Sequence, residues 1–504
     1  MSAVAKLQVE NQTLKATLAE KECLLSAREN RITQLEELLR SFSQRQFGTS
    51  SEQSSHQGQL FDEAEQDADD IGVEEDTVTV PTHTRQKKRR VSIPADIPRE
   101  DIIHDLTDEQ KICPHDGTTL KQIGEETHEQ LDIVPAKATC LRHIRLKYAC
   151  PCCEQHIVTA SKPKQPIEKS IAAPGLLAHI AVSKYADALP LYRQGAMFKR
   201  IGIELDRTSL ANWMMTCGQL IQPLINRLHD QLMEQSVIHM DETPIQVLNE
   251  PGKTPQSTSY MWVMGTPQTS QTPAIVFHYA PSRSAQIPKD QLADYQGALM
   301  VDGYEGYQGV CTENQLTRLG CWAHARRKFI EAQRLQPKGK TGKADQALAF
   351  TQKLYAIEKQ SKDRPPDERH LIRQQQSKPI IDKLHVWLEQ RLLGIPPKTA
   401  LGKAMHYLNN QWPRLIGYLE NGEYPIDNNR AENAIRPFVI GRKNWLFSAS
   451  QKGAKASANL YSLIETAKAN QLEPYAYLKQ VFTLLPNAET IEDVDQLLPW
   501  NVTL

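Results

Sequence analysis

Three acidic residues lie where the chain around them reads as buried. Val237-Ile-His-Met240 leads into Asp241, and Ala298-Leu-Met-Val301 leads into Asp302-Gly303, so two apolar, strand-like runs each end in an aspartate. A carboxylate beside a buried aliphatic strand is costly unless a cation or a donor meets it, and two such cases in one region point to a shared partner. The third acid, Glu432, stands in Asp427-Asn-Asn-Arg-Ala-Glu432-Asn-Ala-Ile-Arg436-Pro437, which reads as a short helix capped by Asp427. Two strand carboxylates and one helix carboxylate are the hard oxygen donors that a pair of Mg2+ (or Mn2+) ions needs to clamp a phosphodiester. One ion lowers the pKa of the attacking water or hydroxyl, and the other stabilises the leaving 3'-oxygen. The chemistry would be phosphodiester cleavage and transfer by positioning and charge neutralisation. Plainer roles stay open: Asp302-Gly303 as a capped turn, and Glu432 with Arg436 as an i,i+4 surface pair.

The elements that must position these acids belong to a long chain. Its 504 residues leave room for about three to four domains. A formal net charge of -1, from 59 Lys+Arg against 60 Asp+Glu, excludes a uniformly basic nucleic-acid coat, so any such surface is local. No apolar run approaches the ~18 residues that span a bilayer, and the start MSAVAKLQVENQ carries no apolar export segment. The expected location is cytoplasmic and nucleoid-associated, with no membrane partner. The nine cysteines then read as metal ligands or buried thiols rather than disulfides.

Read in sevens, Val4, Asn11, Leu18, Leu25, Ile32 and Leu39 share one position, and Leu7, Leu14, Lys21, Arg28, Leu35 and Phe42 fall three residues later. That seam, with Asn11 fixing register and Glu10/Lys15 and Arg31/Glu36 as opposite-sign flanks, predicts a leucine-zipper-like coiled coil over 1–42 and a homodimer through residues 4–42. Residues 43–98 are poor in large apolar side chains and form an acidic and then basic linker. Within 99–165, Cys113-Pro-His115-Asp116 and Cys150-Pro-Cys152-Cys153 bracket strand-like sequence in the manner of a zinc ribbon. Cys113, His115, Cys150 and Cys153 are the candidate Zn2+ ligands, with Asp116 or Cys152 as substitutes and a metal-free ribbon as the alternative. Residues 166–235 are helical. There Leu191–Phe198, the turn Ile201-Gly202-Ile203 and a helix N-capped by Asp206 read as a helix-turn-helix, with Arg207, Thr208, Ser209 and Asn212 facing outward as a DNA-binding surface, or equally as plain helical packing around a Gly turn.

These motifs together resemble a known family, the DDE transposases, in the branch found in bacterial insertion sequences of the IS sixty-six type. The resemblance rests on His239-Met-Asp241-Glu-Thr-Pro244, Val301-Asp302-Gly-Tyr-Glu-Gly-Tyr307, Gly320-Cys-Trp-Ala-His324-Ala-Arg-Arg-Lys-Phe329, the Asp427–Pro437 segment and Gly441-Arg-Lys-Asn-Trp-Leu-Phe447, in that order. One departure is Asp116, where the family carries a second cysteine. The resemblance implies a multidomain α+β protein with an RNase H-like α/β core over 236–450, an all-α insertion at about 333–425, and a small helical C-terminal domain over 451–504. It implies Asp241, Asp302 and Glu432 as the catalytic, Mg2+-binding triad, and His324 of the Cys321-x-x-His324 element beside the scissile phosphate. Glu242 is expected on the opposite strand face. Arg326, Arg327, Lys328, Arg442 and Lys443 are expected phosphate contacts. About 130 residues separate Asp302 from Glu432, more than such a core uses, hence the insertion. Lys338-Gly-Lys-Thr-Gly-Lys343 lacks the first Gly and the final Ser/Thr of a phosphate loop, so nucleotide binding is rejected.

The expected function is a transposase that cuts insertion-sequence ends and transfers the 3'-OH to target DNA. Its expected partners are the element ends, target DNA, a second copy of the chain, and accessory proteins of the same element. The alternatives are a zipper-dimerised DNA-binding regulator, an inactive copy, and an RNase H-like nuclease.

Overall fold

The computed structural model describes residues 3–47, 138–149, 157–336 and 341–503. The expected zinc ligands Cys113, His115, Cys150 and Cys153 lie outside the described residues, as does the linker beyond Phe47. Two compact units divide the chain, one of residues 73–160 and one of residues 1–72 with 161–504. The described part of the smaller unit is an antiparallel ribbon of β1 (Lys147–Ala149) and β2 (Ile157–Thr159), with Tyr148 opposite Val158.

In the larger unit, α1 (Ala3–Phe47) is one continuous helix of 45 residues. Its seam is bare: Leu18, Leu25, Ile32 and Leu39 are 56–70% exposed. Next come α2 (Pro174–Tyr185), α3 (Leu191–Arg200), α4 (Arg207–Leu220) and α5 (Gln222–Met233). Gly202, at φ +80°, makes the left-handed turn between α3 and α4. Asp206 then caps α4 by accepting from the Ser209 backbone N–H at 2.9 Å.

A mixed sheet follows. β3 (Val237–Asn249), β4 (Thr258–Gly265) and β5 (Ile275–Ala280) form an antiparallel meander, and β6 (Ala298–Val301) and β7 (Thr317–Gly320) add in parallel on the other side of β3. The spatial order is β5-β4-β3-β6-β7. Every residue of β6, and Val237 to Met240 of β3, is buried, as expected for strands covered on both faces. β3 does not end at Asp241. Its pairing with β4 continues to Gln246 opposite Thr258, because Ile245 and Val247 resume inward alternation beyond the acids.

Helices complete the layers. α6 (Trp322–Arg334) leaves the end of β7, and α7 (Lys343–Ser361), α8 (Lys378–Leu392) and α9 (Ala400–Ile416) join it around Phe329, Leu354, Leu384, Met405 and Leu408, with α7 and α9 packed on α6 and α8 packed on both of them. This is a second core, distinct from the one between the sheet and α2–α5. The helix breaks fall at Pro365-Pro366 and Pro396-Pro397. α10 (Asn429–Trp445) returns the chain to the sheet, and β8 (Ser448–Ser450) pairs with the far end of β3. α11 (Gln451–Ala469) then covers β5, and α12 (Pro474–Leu484) packs on α2. The Ser462 and Thr466 hydroxyls of α11 accept from the backbone N–H groups of Phe277 and Ile275 at 2.7 and 3.0 Å, which closes the edge of the sheet.

Candidate active site

Strand register brings the two aspartates together. β3 pairs with β6 as His239 with Met300, and continuing that register by two residues sets Asp302 beside Asp241. The Tyr304 backbone N–H orients Asp302 by donating to its Oδ1 at 2.9 Å, and Arg318 holds the same loop through the carbonyls of Asp302 and Tyr304 at 3.2 and 2.7 Å. Residue 303 must be small, since a Cβ there would stand 2.9 Å from the Tyr407 ring of α9.

Glu432 enters from α10, which is a 17-residue helix rather than a short one. Asp427 takes the Asn429 backbone N–H at 3.0 Å, while the N-cap residue, Asn428, spends its side chain on the sheet. The Asn428 amide donates to Met240 O at 2.9 Å and pairs its oxygen with His239 Nδ1 at 3.0 Å, and its backbone N–H donates to Cys321 Sγ at 3.2 Å. The start of α10 is thus tied to β3 and to the β7–α6 junction. Glu432 is 2% exposed, so it is not a surface residue of α10. Instead Arg327 of α6 grips Glu432 Oε2, and His324 Nδ1 lies 3.4 Å from Oε1. Neither His324 Nδ1 nor Glu432 Oε1 has a hydrogen-bond partner, although both are buried.

The electrostatics are those of an under-neutralised carboxylate cluster. Burial lifts the Asp241 carboxyl well above the usual carboxylate range, and Glu242, Glu432 and Asp302 add like charge. Burial also lifts Glu432 to about 7, even against the pull of Arg327. Burial, then Arg327, hold His324 down at about 4, so its imidazole is neutral at pH 7. Glu242 is occupied elsewhere: Arg283 Nε donates to it at 2.6 Å, the Tyr307 hydroxyl donates to its other oxygen, and the Arg283 guanidinium stacks 3.8 Å over the Tyr304 ring. Asp241 feels the charge of Glu432 and Asp302, one oxygen of Glu432 is held by Arg327, and the other is orphaned, although among the described residues the three acids do not bring their oxygens within 4.8 Å of one another. That arrangement fits a divalent cation, whose charge would restore the ionised form of Asp241 and Glu432.

The expected phosphate contacts divide. Arg207 and Lys443 are exposed, and Lys328 sits 4.8 Å over the Tyr407 ring. Arg442 donates to Thr243 Oγ1 at 3.1 Å and to Pro244 O, so it braces α10 on β3. Arg326 is 6% exposed on the inward face of α6, and Arg327 is engaged by Glu432. The helical turn of α6, one face packed on the second core, sets Arg326 inward and Arg327 toward Glu432. Sequence reasoning passed over Asn428, His239, Arg283 and Tyr307. Asn428, His239 and Tyr307 stand inside the quoted motifs, His239 within a strand-like run, whereas Arg283 lies outside all of them.

Comparison with known proteins agrees with this architecture. A family described as "Transposase IS66 family" matches residues 169–456, and its "IS66 C-terminal element" matches 462–500. A "zinc-finger binding domain of transposase IS66" matches 110–154, a span that contains all four expected zinc ligands, and "Transposase C of IS166 homeodomain" matches 34–102. The chain belongs to the IS66 transposase family. Among its relatives, uncharacterized protein y4jD of Sinorhizobium fredii (strain NBRC 101917 / NGR234) is 33% identical over 422 residues, 81% of each chain. Uncharacterized protein y4qI of the same strain is 30% identical over 523 residues, 99% of this chain and 95% of that protein. Transposase function, DNA as a partner, and use of divalent metal follow at that level from the family. Among the described residues, no helix is long and apolar enough to cross a membrane.

Proposed function

We propose that this protein cuts DNA at the two ends of an insertion sequence and joins the freed 3'-OH groups to target DNA, with Asp241, Asp302 and Glu432 as the metal-binding triad. The observation that carries the reading is the electrostatic coupling of three carboxylates, from β3, the end of β6 and α10, where burial and the charge of neighbouring acids raise the pKa values of Asp241 and Glu432. A three-stranded antiparallel meander extended by two parallel strands, with both aspartates at the β3/β6 pairing, supports an RNase H-like core. Two divalent ions held by the triad would supply a deprotonated nucleophile and charge stabilisation at the leaving oxygen.

The chain's own residues do the positioning. Asn428 and His239 fix the start of α10 and hence the place of Glu432. Arg327 steadies Oε2 and leaves Oε1 turned toward the cluster. The neutral His324 imidazole can donate to a non-bridging phosphate oxygen and accept a proton without carrying charge into the site. Exposed Arg207 on α4 and Lys443 on α10, with Lys328, would meet the DNA backbone. The bare apolar seam of α1 supports pairing of two chains, which would bring two ends together. Cys113, His115, Cys150 and Cys153 would hold Zn2+ in the finger segment, and accessory proteins of the same element would complete the machinery. Such a protein would act in the cytoplasm, on the nucleoid.

The test is an assay with Mg2+ and labelled DNA carrying the element's own ends, comparing wild type with Glu432→Ala at matched DNA binding. The proposal expects joined products from wild type alone. Binding without cutting by either folded protein would overturn it in favour of a regulator or an inactive copy, and cutting without joining in favour of a nuclease.

A further inference from the structure

Cys321, His324 and Glu432 place one ligand atom each within 4.8 Å of one another, the metal-ligating group of three such residues found among the described residues. Cys321 begins α6, so His324 follows on the same face one turn later, while Glu432 arrives from α10. Two further facts set this trio apart from ordinary packing. His324 Nδ1 and Glu432 Oε1 are both buried without a hydrogen-bond partner, yet stand 3.4 Å apart. Donors at Zn–N, Zn–O and Zn–S distances of ~2.0–2.3 Å around a tetrahedral ion stand about 3.3–3.8 Å from each other. The nitrogen–oxygen edge of such a site is therefore already at its bonded spacing, and the sulfur closes the triangle with a shift on the order of 1 Å.

We propose that Cys321, His324 and Glu432 form a second kind of metal site, selective for a thiophilic divalent cation such as Zn2+, which overlaps the hard-oxygen triad at Glu432 and blocks it. The donor set decides the selectivity. Mg2+ and Mn2+ take oxygen ligands and gain little from a thiolate, whereas sulfur, imidazole and carboxylate with one open position are the ligands of zinc. Binding would release the Cys321 proton to solvent, with the thiolate bond to the ion replacing the S–H bond. Arg327 keeps Glu432 Oε2 and so leaves Oε1 as the oxygen to be captured. With Oε2 held by Arg327 and Oε1 drawn to the ion between Cys321 and His324, Glu432 would be turned from the triad, so occupancy by zinc removes its third ligand. The binding half of this inference stands on geometry alone, and only the blocking half rests on the function proposed above.

The test titrates Co2+ into the full chain freed of metal, so that the finger segment and the proposed site can both fill, and counts the equivalents bound while the thiolate-to-cobalt charge-transfer absorption is read in wild type and in Cys321→Ser. The expected result is one cobalt equivalent beyond that of the finger segment, with its own thiolate absorption, in wild type, and loss of that added absorption, with at least ten-fold weaker binding, in the variant. Cys321→Ala serves if serine at the buried helix start impairs folding, as judged by circular dichroism. Equal bands in wild type and either folded variant overturn the site. Inhibition by Zn2+ is read separately, each protein against its own rate in Mg2+ alone: wild type should need at least ten-fold less zinc than the Cys321 variant. A cobalt site without that difference would overturn the blocking role while leaving the site, and a lack of any Mg2+-dependent cutting in wild type would count against the transposase reading instead.

Discussion

Two buried glutamate–arginine pairs in this molecule have opposite characters. In the helical insertion, Arg373 is 1% exposed and lies side-on to Glu358, with Nε at 2.9 Å from one oxygen and the terminal nitrogen at 2.6 Å from the other. Its remaining nitrogen donates to the carbonyls of Tyr418 and Asn421 at 2.8 and 2.7 Å. Both carboxylate oxygens and the guanidinium are satisfied, the geometry in which a buried pair holds a fold in one arrangement. At the candidate site, Arg327 holds one oxygen of Glu432, the other is buried without a hydrogen-bond partner, and Asp427 and Asp302 add like charge. The first pair closes its own electrostatics. The second leaves charge uncompensated, which is the property the proposed cation site relies on.

The comparison can be broken most forcefully by chemistry. Asp241→Asn, Asp302→Asn or Glu432→Gln should each lower DNA cleavage on the order of 10³-fold while secondary structure is retained, measured by single-turnover cutting of end DNA and circular dichroism. Arg373→Met should leave the site intact but cost about 3–5 kcal/mol, read as a fall in denaturation midpoint, because Glu358 is left buried and unpaired. Glu432→Gln should cost less, since the Arg327 side chain is 32% exposed and water can take over its solvation. Asn428→Ala falls between the two regions. It strands His239 Nδ1 and Met240 O, and should cost about 1–3 kcal/mol and lower cleavage at saturating DNA without weakening DNA binding.

The pH response sharpens the contrast. The Glu432 carboxyl is raised to about 7, so between its ordinary value and 7 the folded protein binds more protons than the unfolded chain. Stability without divalent metal should therefore fall as pH rises through that window, and Glu432→Gln should flatten the slope in thermal melts. The smallest effect is expected at the surface: Lys443→Ala should weaken DNA binding a few-fold and reduce the salt slope by about 1, measured by fluorescence anisotropy across salt concentrations.

How legible this was in sequence depends on the kind of interaction. The β3 and β6 runs declared themselves because residues covered on both faces must be apolar throughout, and Asp241 and Asp302 stood out against them. Asp206 was readable as a cap because capping is local. The continuation of β3 past Asp241 was not, since it depends on cross-strand pairing with Thr258 to Val263. Nor was the length of α10, where Pro437 inside the helix argued for an earlier stop. Arg326 and Arg327 were adjacent cations in sequence, and only the packing of α6 separates a buried one from one that faces Glu432. Asp427 read as the cap and Asn428 carried no signal, because its bridge to His239 spans 189 positions that no local rule connects.

The most direct measurement is calorimetric titration of Mn2+ into the full-length protein, comparing wild type, Glu432→Gln and Glu358→Gln. The account predicts binding accompanied by proton release below pH 7 in wild type and in Glu358→Gln, weakened at least ten-fold in Glu432→Gln. Equal Mn2+ binding in wild type and folded Glu432→Gln would contradict it, because the orphaned oxygen would then hold no ion.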